Sequence, residues 1–179
     1  FLPVACRQAK DWHDHGMDPV PVSVNISPLH FLSEGFVPMV KKCLSDARLD
    51  PKWLELEITE GIIMNNSEAT ISKLNELADM GVQLAIDDFG TGYSSLTYLR
   101  ALPVNKLKID QAFISDMVKE GDARAVVEAI IRLGHSFNLK IIAEGIESEE
   151  ELSLLANMRC DYAQGYFISR PMIAENIYD

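Results

Sequence analysis

The chain has 179 residues, 47% of them hydrophobic, enough for one domain with a sizeable core. Its net charge of -11, from 27 acidic and 16 basic residues, argues against gripping a nucleic-acid polymer through its phosphates, which needs a basic surface. A small phosphate ester stays open as a ligand, because metal ions supply positive charge locally.

Helical periodicity over residues 4–14 closes at Gly16 and Pro19. A strand over 20–24, with valines alternating around Ser23, ends on Asn25. An amphipathic helix covers 36–47, and Asp50-Pro51 turns the chain into a strand over 54–56 that ends on Glu57. Ser67 and Glu68 open a helix that stops at Gly81. A strand over 83–86 then runs into Asp87 and Asp88, followed by a glycine-rich loop and a short helix over 96–99. Pro103 introduces a strand over 106–109 that carries Lys108 and meets Asp110. The long helix expected over 122–138 places Val126, Ile130, Leu133 and Phe137 on one face. A strand over 140–143 stops at Glu144, and Ser148 with Glu151 forms a capping box for a helix ending near Met158. The last strand, 162–163, meets Gln164.

Strands and helices alternate throughout, which predicts an α/β fold with a parallel sheet and right-handed crossovers. Six short strands each end on a group that can hold a metal or handle a proton. In a parallel barrel all such ends gather at one rim, where the chemistry sits. A doubly wound open sheet would bind ligand at one switch point instead. Cys6, Cys43 and Cys160 lack paired spacing, so the expected setting is a reduced cytoplasmic one, without disulfides or a zinc knuckle. The sequence shows no apolar stretch long enough to cross a membrane and no signal peptide, so no membrane contact is expected of this segment. It starts at Phe1 without a methionine and reads as an excerpt, whose missing part has room for a membrane anchor. The four histidines look incidental: His13 and His15 lie on different helix faces, and His30 and His135 have no acidic partner at ligand spacing.

The sharpest local signal is Asp87-Asp88-Phe89-Gly90-Thr91-Gly92. Adjacent strand residues alternate in direction, so one aspartate can bridge two cations while its neighbour reaches the second. The competing explanation is an ordinary strand-to-helix turn with an Asp cap. Glu57 sits between Leu56 and Ile58 and must face the interior or be paired, since an unpaired buried carboxylate is costly. Glu60, taken alone, reads as a cap or loop anchor. At an effective dielectric near 20, two carboxylates about 4 Å apart repel by about 4 kcal/mol. Convergence of Glu57, Asp87, Asp88 and Glu144 therefore calls for a divalent cation, and oxygen ligands suit magnesium or manganese rather than zinc. Lys108 either balances that charge or takes part in catalysis, and Glu144, beside Gly145, is a general base or a ligand.

Taken together these residues resemble the EAL-domain family of cyclic di-GMP phosphodiesterases, a TIM-barrel-like fold. The resemblance runs from Ala5-Cys6-Arg7-Gln8 to Ser169-Arg170-Pro171. It includes Val24-Asn25-Ile26-Ser27, Glu57-Ile58-Thr59-Glu60, the Asp-Asp-Phe-Gly-Thr-Gly loop, Leu107-Lys108-Ile109-Asp110, Ala143-Glu144-Gly145-Ile146-Glu147 and Gln164-Gly165-Tyr166. It implies that Asn25, Glu57 and Asp87 bind a first metal, with Asp87 and Asp88 serving a second, each Mg2+ or Mn2+. It further implies that Lys108 contacts the attacking water or scissile phosphate, that Glu144 is general base or second-metal ligand, and that Asp110 and Gln164 complete the polar floor. Glu60 and Glu147 would hold the glycine-rich loop. The implied reaction opens cyclic di-GMP to linear pGpG in bacterial signalling.

The family's Glu-Ala-Leu motif, whose glutamate is a metal ligand, does not precede Asn25 here. A barrel of this type needs about 250 residues, so residues 1–179 are expected to form one N-terminally truncated domain of about six strands. An upstream sensory or GGDEF domain is expected in the parent protein, and a homodimer would pair through residues 93–99 and the Phe113 segment. The competing functions are a module that captures cyclic di-GMP without cleaving it and a purely structural interaction domain. Intact Glu57, Asp87, Asp88, Lys108 and Glu144 favour the enzyme, because a receptor needs the pocket but not the metal cluster.

Overall fold

Pro21 has no N–H to give to a ladder, and the first strand, β1, starts just after it, spanning Val22–Ile26. Asn25 therefore lies inside the strand and not beyond its end. The computed structural model describes residues 1–64, 68–90, 99–118 and 120–178. Its contacts divide the chain into two compact units: residues 1–86 with 92–104, and residues 87–91 with 105–179.

In the first unit, α1 (Leu2–Asp14) begins earlier than its periodicity suggests, with a proline in the first turn, where a missing N–H costs nothing. It buries Leu2, Cys6 and Ala9 and lies against α3 (Phe36–Ala47), which buries Phe36, Val37, Val40, Cys43, Leu44 and Ala47. Between β1 and α3 comes α2 (Pro28–Leu32), a helix too short to show a period in the sequence. Ser27 caps its N-terminus, and Phe31 is fully buried with its ring 5.5 Å from that of Phe36. The other end is closed from a distance. Lys73 Nζ, on α5 (Glu68–Asp79), donates to the carbonyls of Phe31, Leu32 and Ser33 at 3.0, 2.9 and 2.8 Å. These are orphan acceptors of a helix C-terminus, and an ammonium suits them in charge as well.

Strand β2 (Leu54–Thr59) pairs in parallel with β1 and sets Asn25 opposite Glu57. A helix, α4 (Glu60–Met64), follows directly, and β3 (Gln83–Phe89) is the strand the two units share. The remaining strands, β4 (Lys106–Ile109), β5 (Lys140–Ala143) and β6 (Tyr162–Ala163), pair in parallel in the second unit. All six strands follow chain order in one sheet. Crossovers β4–β5 and β5–β6 carry α6 (Gln111–Asp116) with α7 (Gly121–Ser136), and α8 (Glu149–Asn157), the last opened by the expected Ser148–Glu151 capping box.

Two expectations need correction. Helix α7 buries Val127, Ile130, Ile131 and Gly134, whereas Val126 is 43% exposed. The apolar stripe keeps its helical spacing but is centred differently, because Gly134 lies against the Ile141 side chain on β5. His135 does have an acidic partner, Asp161, with Nε2 to Oδ2 at 2.8 Å. Asp161 also accepts from Lys140 Nζ at 2.6 Å and from the Ile141 N–H at 3.0 Å. Desolvation opposes its ionisation, but these three donors outweigh that and hold the carboxyl at about 2.

Cys6 and Cys43 are buried, and Cys160 Sγ donates to the Ile141 and Tyr162 carbonyls. Burial pushes the Cys6 and Cys160 thiols up to about 11. No helix among the described residues is long and apolar enough to cross a membrane. Of the short helix expected over 96–99 only Leu99, which is buried, falls among the described residues, and most of the proposed dimer segment lies outside them. Phe113, also assigned to that segment, packs its ring against Gly90 of its own chain.

Candidate active site

The charged groups of the second unit's site come from the strands and from the loops that follow them: Asp87 and Asp88 lie within β3 and not beyond its end, Lys108 lies within β4, and Glu144 directly follows β5. Lys108 is the third residue of β4 and is only 3% exposed. Its ammonium lies 3.0 Å from Asp87 Oδ1 and 2.7 Å from Glu144 Oε1, so it bridges the ends of β3 and β5. A buried lysine stays charged only with such partners.

Asp88 departs from the expected alternation. Its φ is 54°, the left-handed region, which aspartate enters more readily than most residues. An extended backbone would send neighbouring side chains to opposite faces. Here the carboxylates of Asp87, Asp88 and Glu144 each offer an oxygen within 4.8 Å of the others. The Asp88 carboxyl is pushed up from its ordinary value, first by desolvation, then by the charges of Asp87 and Asp110 and a hydrogen bond shared with Asp110; Lys108 offsets part of this. Asp110 also caps α6, its Oδ1 accepting from the Ala112 N–H at 2.8 Å.

The loop after β5 is fixed from several sides. The Glu144 N–H donates to the Ile109 carbonyl at 3.1 Å, and the Ile146 N–H to the Gln164 carbonyl at 3.0 Å. Gly145 has φ +70° and meets the Gln111 side chain so closely that a Cβ would stand 2.2 Å from its Cγ. Gly165 is tighter still, since a Cβ there would stand 2.1 Å from the Ile146 backbone nitrogen. The Glu151 carboxylate accepts from the N–H groups of Glu147 and Ser148 at 2.7 and 2.9 Å. Gln111 Nε2 donates to Glu147 Oε1 at 3.4 Å.

These elements surround a cavity of about 370 Å³ lined by Asp88, Asp110, Gln111, Glu144, Gly145, Glu147, Gln164, Gly165 and Tyr166. Of the residues singled out from sequence, Asp87, Asp88, Lys108, Asp110, Glu144, Glu147 and Gln164 belong to this unit. Asn25, Glu57 and Glu60 belong to the first, where Asn25 stands opposite Glu57 and Glu60 opens α4 with 4% exposure. Gln111 and Tyr166 were missed as site residues. Gln111 follows the Asp110 cap directly, and that position was the available signal. The donor set is all oxygen, with no thiolate or imidazole in the cluster, and fits a hard divalent cation such as Mg2+ or Mn2+.

The sequence matches the EAL domain family over residues 1–171. The chain belongs to the EAL-domain family. It is 44% identical to the bifunctional diguanylate cyclase/cyclic di-GMP phosphodiesterase MucR of Pseudomonas aeruginosa, over 98% of this chain and 26% of MucR. It is 42% identical to the signaling protein YkoW of Bacillus subtilis, over 96% of this chain and 21% of that protein. Among solved structures, a complex of the Pseudomonas MucR phosphodiesterase with cyclic di-GMP superposes with a TM-score of 0.95 at 44% identity, over 98% of this chain and 71% of that one. The EAL domain of Mycobacterium smegmatis DcpA gives 0.92 at 36% identity, over 98% and 79%. The chain thus spans about a quarter or less of the curated relatives' length. Its fold class is the α/β, TIM-barrel-like one of EAL domains.

Proposed function

We propose that this EAL domain is the catalytic part of a metal-dependent phosphodiesterase that hydrolyses cyclic di-GMP to linear pGpG. The observation that carries the reading is the Lys108 ammonium held between Asp87 and Glu144, with Asp88 beside them. A receptor gains nothing from a buried cation placed among three carboxylates, whereas a hydrolase needs groups of both charges at the reacting atoms. Similarity to MucR, a bifunctional diguanylate cyclase/cyclic di-GMP phosphodiesterase, supports the substrate.

Asp87 and Asp88, with Asn25 and Glu57 by family resemblance, would hold the ions. Bound divalent metal supplies Lewis-acid charge at the phosphate and makes water a stronger nucleophile. Lys108 orients the attacking water or a phosphate oxygen through its ammonium. Glu144 accepts a proton from the water as its oxygen bonds to phosphorus and the bond from phosphorus to the ribose 3′ oxygen breaks, and the departing 3′ oxygen takes a proton from solvent to become the free hydroxyl of pGpG. Asp110 and Gln164 hold the polar floor of the cavity, and by family resemblance Glu60 and Glu147 would hold the glycine-rich loop. Two Mg2+ or Mn2+ ions, a cytoplasmic setting and further domains in the same protein complete the proposal.

Chromatography of nucleotide products tests it. Cyclic di-GMP should be converted to pGpG in Mg2+ or Mn2+, and conversion should stop in EDTA and return when the ion is restored. Undiminished conversion in EDTA would sink the metal-assisted reading, and tight binding without pGpG would make the protein a receptor.

A further inference from the structure

We propose that Tyr166 is a nucleobase-stacking residue of this site and that Arg170 is the positioning residue that braces its ring. The identity of the ligand as a nucleotide rests on the phosphodiesterase reading; the geometry does not.

Tyr166 is 58% exposed, yet the backbone that carries it is pinned. The Gln164 N–H donates to the Ala143 carbonyl at 2.8 Å, the Phe167 N–H to the Ile146 carbonyl at 3.0 Å, and the Ile168 and Ser169 N–H groups to the Gly165 carbonyl at 3.0 and 3.1 Å. The absence of a Cβ at Gly165 lets this segment lie directly on Ile146. The ring is held as well, with the Arg170 guanidinium carbon 5.1 Å from its centroid. An exposed aromatic with both its backbone and its ring fixed loses little freedom when a ligand stacks on it.

Its position gives that stacking a use. Tyr166 lines the acidic cavity and also a second cavity of about 450 Å³, whose other lining residues are Glu147, Phe167 and Arg170. Arg170 lines the second cavity and not the first, whereas Tyr166 and Glu147 line both. Asp88, Asp110, Glu144 and Glu147 all line the first cavity and repel a phosphodiester there. Metal ions offset that at the phosphate, while affinity for the rest of the molecule must come from uncharged contacts. A tyrosine ring offers one to any planar base, purines above pyrimidines because they overlap more of it.

Titration calorimetry in Mg2+ with GMP and ribose 5-phosphate isolates the base, since both ligands carry the same sugar phosphate. The protein and its Tyr166→Phe variant should bind GMP at least about fivefold more tightly than ribose 5-phosphate. Tyr166→Leu keeps bulk without a π face; it should lose the preference while binding ribose 5-phosphate as before. Arg170→Ala should narrow the preference. Ring-current shielding should move the GMP H8 resonance upfield in the unmodified protein and not in Tyr166→Leu. An intact GMP preference in Tyr166→Leu, equal affinities in the unmodified protein, or a parallel loss of both ligands would overturn the proposal. A preference that follows Tyr166 in a protein that makes no pGpG would uphold this inference and overturn only the hydrolase reading.

Discussion

Lys108 Nζ lies 2.7 Å from Glu144 Oε1, joining the middle of β4 to the residue that follows β5. The same ammonium reaches Asp87, so one cation at the site is shared by two carboxylates. That arrangement separates chemistry from binding. Lys108→Ala or Glu144→Gln should lower turnover of cyclic di-GMP about 100-fold or more, the usual effect of removing a group that handles the reacting proton. Affinity should stay within about tenfold, or about 1.4 kcal/mol. Steady-state kinetics beside equilibrium binding checks this, and equal losses in both would make the residues substrate holders.

Asp161 ties α7 to the sheet through His135, Lys140 and the Ile141 N–H, and its carboxyl is held at about 2 against an ordinary 3.8. A depressed carboxylate stabilises the folded state above its unfolded value and loses that contribution as pH falls through the folded one. Asp161→Asn should therefore lower stability by about 1–2 kcal/mol at neutral pH, after discounting for solvent screening. In urea melts the gap between the two proteins should persist down to about pH 4 and close toward pH 2. A gap that does not change over that range would mean the carboxylate's charge is not what matters.

Gly165 faces backbone, which cannot swing aside as a side chain does. Gly165→Ala should cost about 1–3 kcal/mol or more. Gly121 makes the matched control: it starts α7 with nothing within 4 Å of a Cβ. Gly121→Ala should be neutral or stabilise by up to about 1 kcal/mol. Thermal melts of both variants decide the matter, and a Gly165→Ala protein as stable as the unmodified one would refute the close packing of the Gln164–Tyr166 segment on Ile146.

Lys73 closes the end of α2 with three hydrogen bonds from one ammonium. Lys73→Met keeps the aliphatic stem but removes the donor, and should destabilise by about 1.5–3 kcal/mol. Lys73→Arg should recover part of it. Hydrogen exchange should show faster exchange over 28–33 in Lys73→Met. Unchanged exchange there would assign the closure of α2 to the buried Phe31 alone.

The alternation of strands and helices was readable because each strand is short and apolar and each helix is bounded by a cap or a glycine. Strand β4, β5 and β6 and helix α3 stand where the pattern puts them. Boundaries moved where proline chemistry decided them, at Pro21 before β1 and in the first turn of α1. Short helices escaped because α2 and α6 have too few residues to show a period; only Ser27 and Asp110 announce them as caps. The buried stripe of α7 was displaced because a glycine contributes no apolar side chain to the count and yet marks the closest approach to β5. The acidic cluster was legible as residue types at strand ends. Its geometry was not, since the left-handed turn at Asp88 and the Lys108 bridge from Asp87 to Glu144 depend on contacts that no local window contains. The pairing of His135 with Asp161, 26 positions apart and outside the site, escaped for the same reason.

The thiols have a practical consequence. With Cys6 and Cys160 near 11, only about one in 10,000 of each is thiolate at pH 7, and burial shifts Cys43 in the same direction. Maleimides and mild oxidants should pass the folded protein by. A single cysteine placed on a solvent-facing helix position, such as Val126→Cys on α7, would then carry a fluorophore or spin label without any native thiol having to be removed.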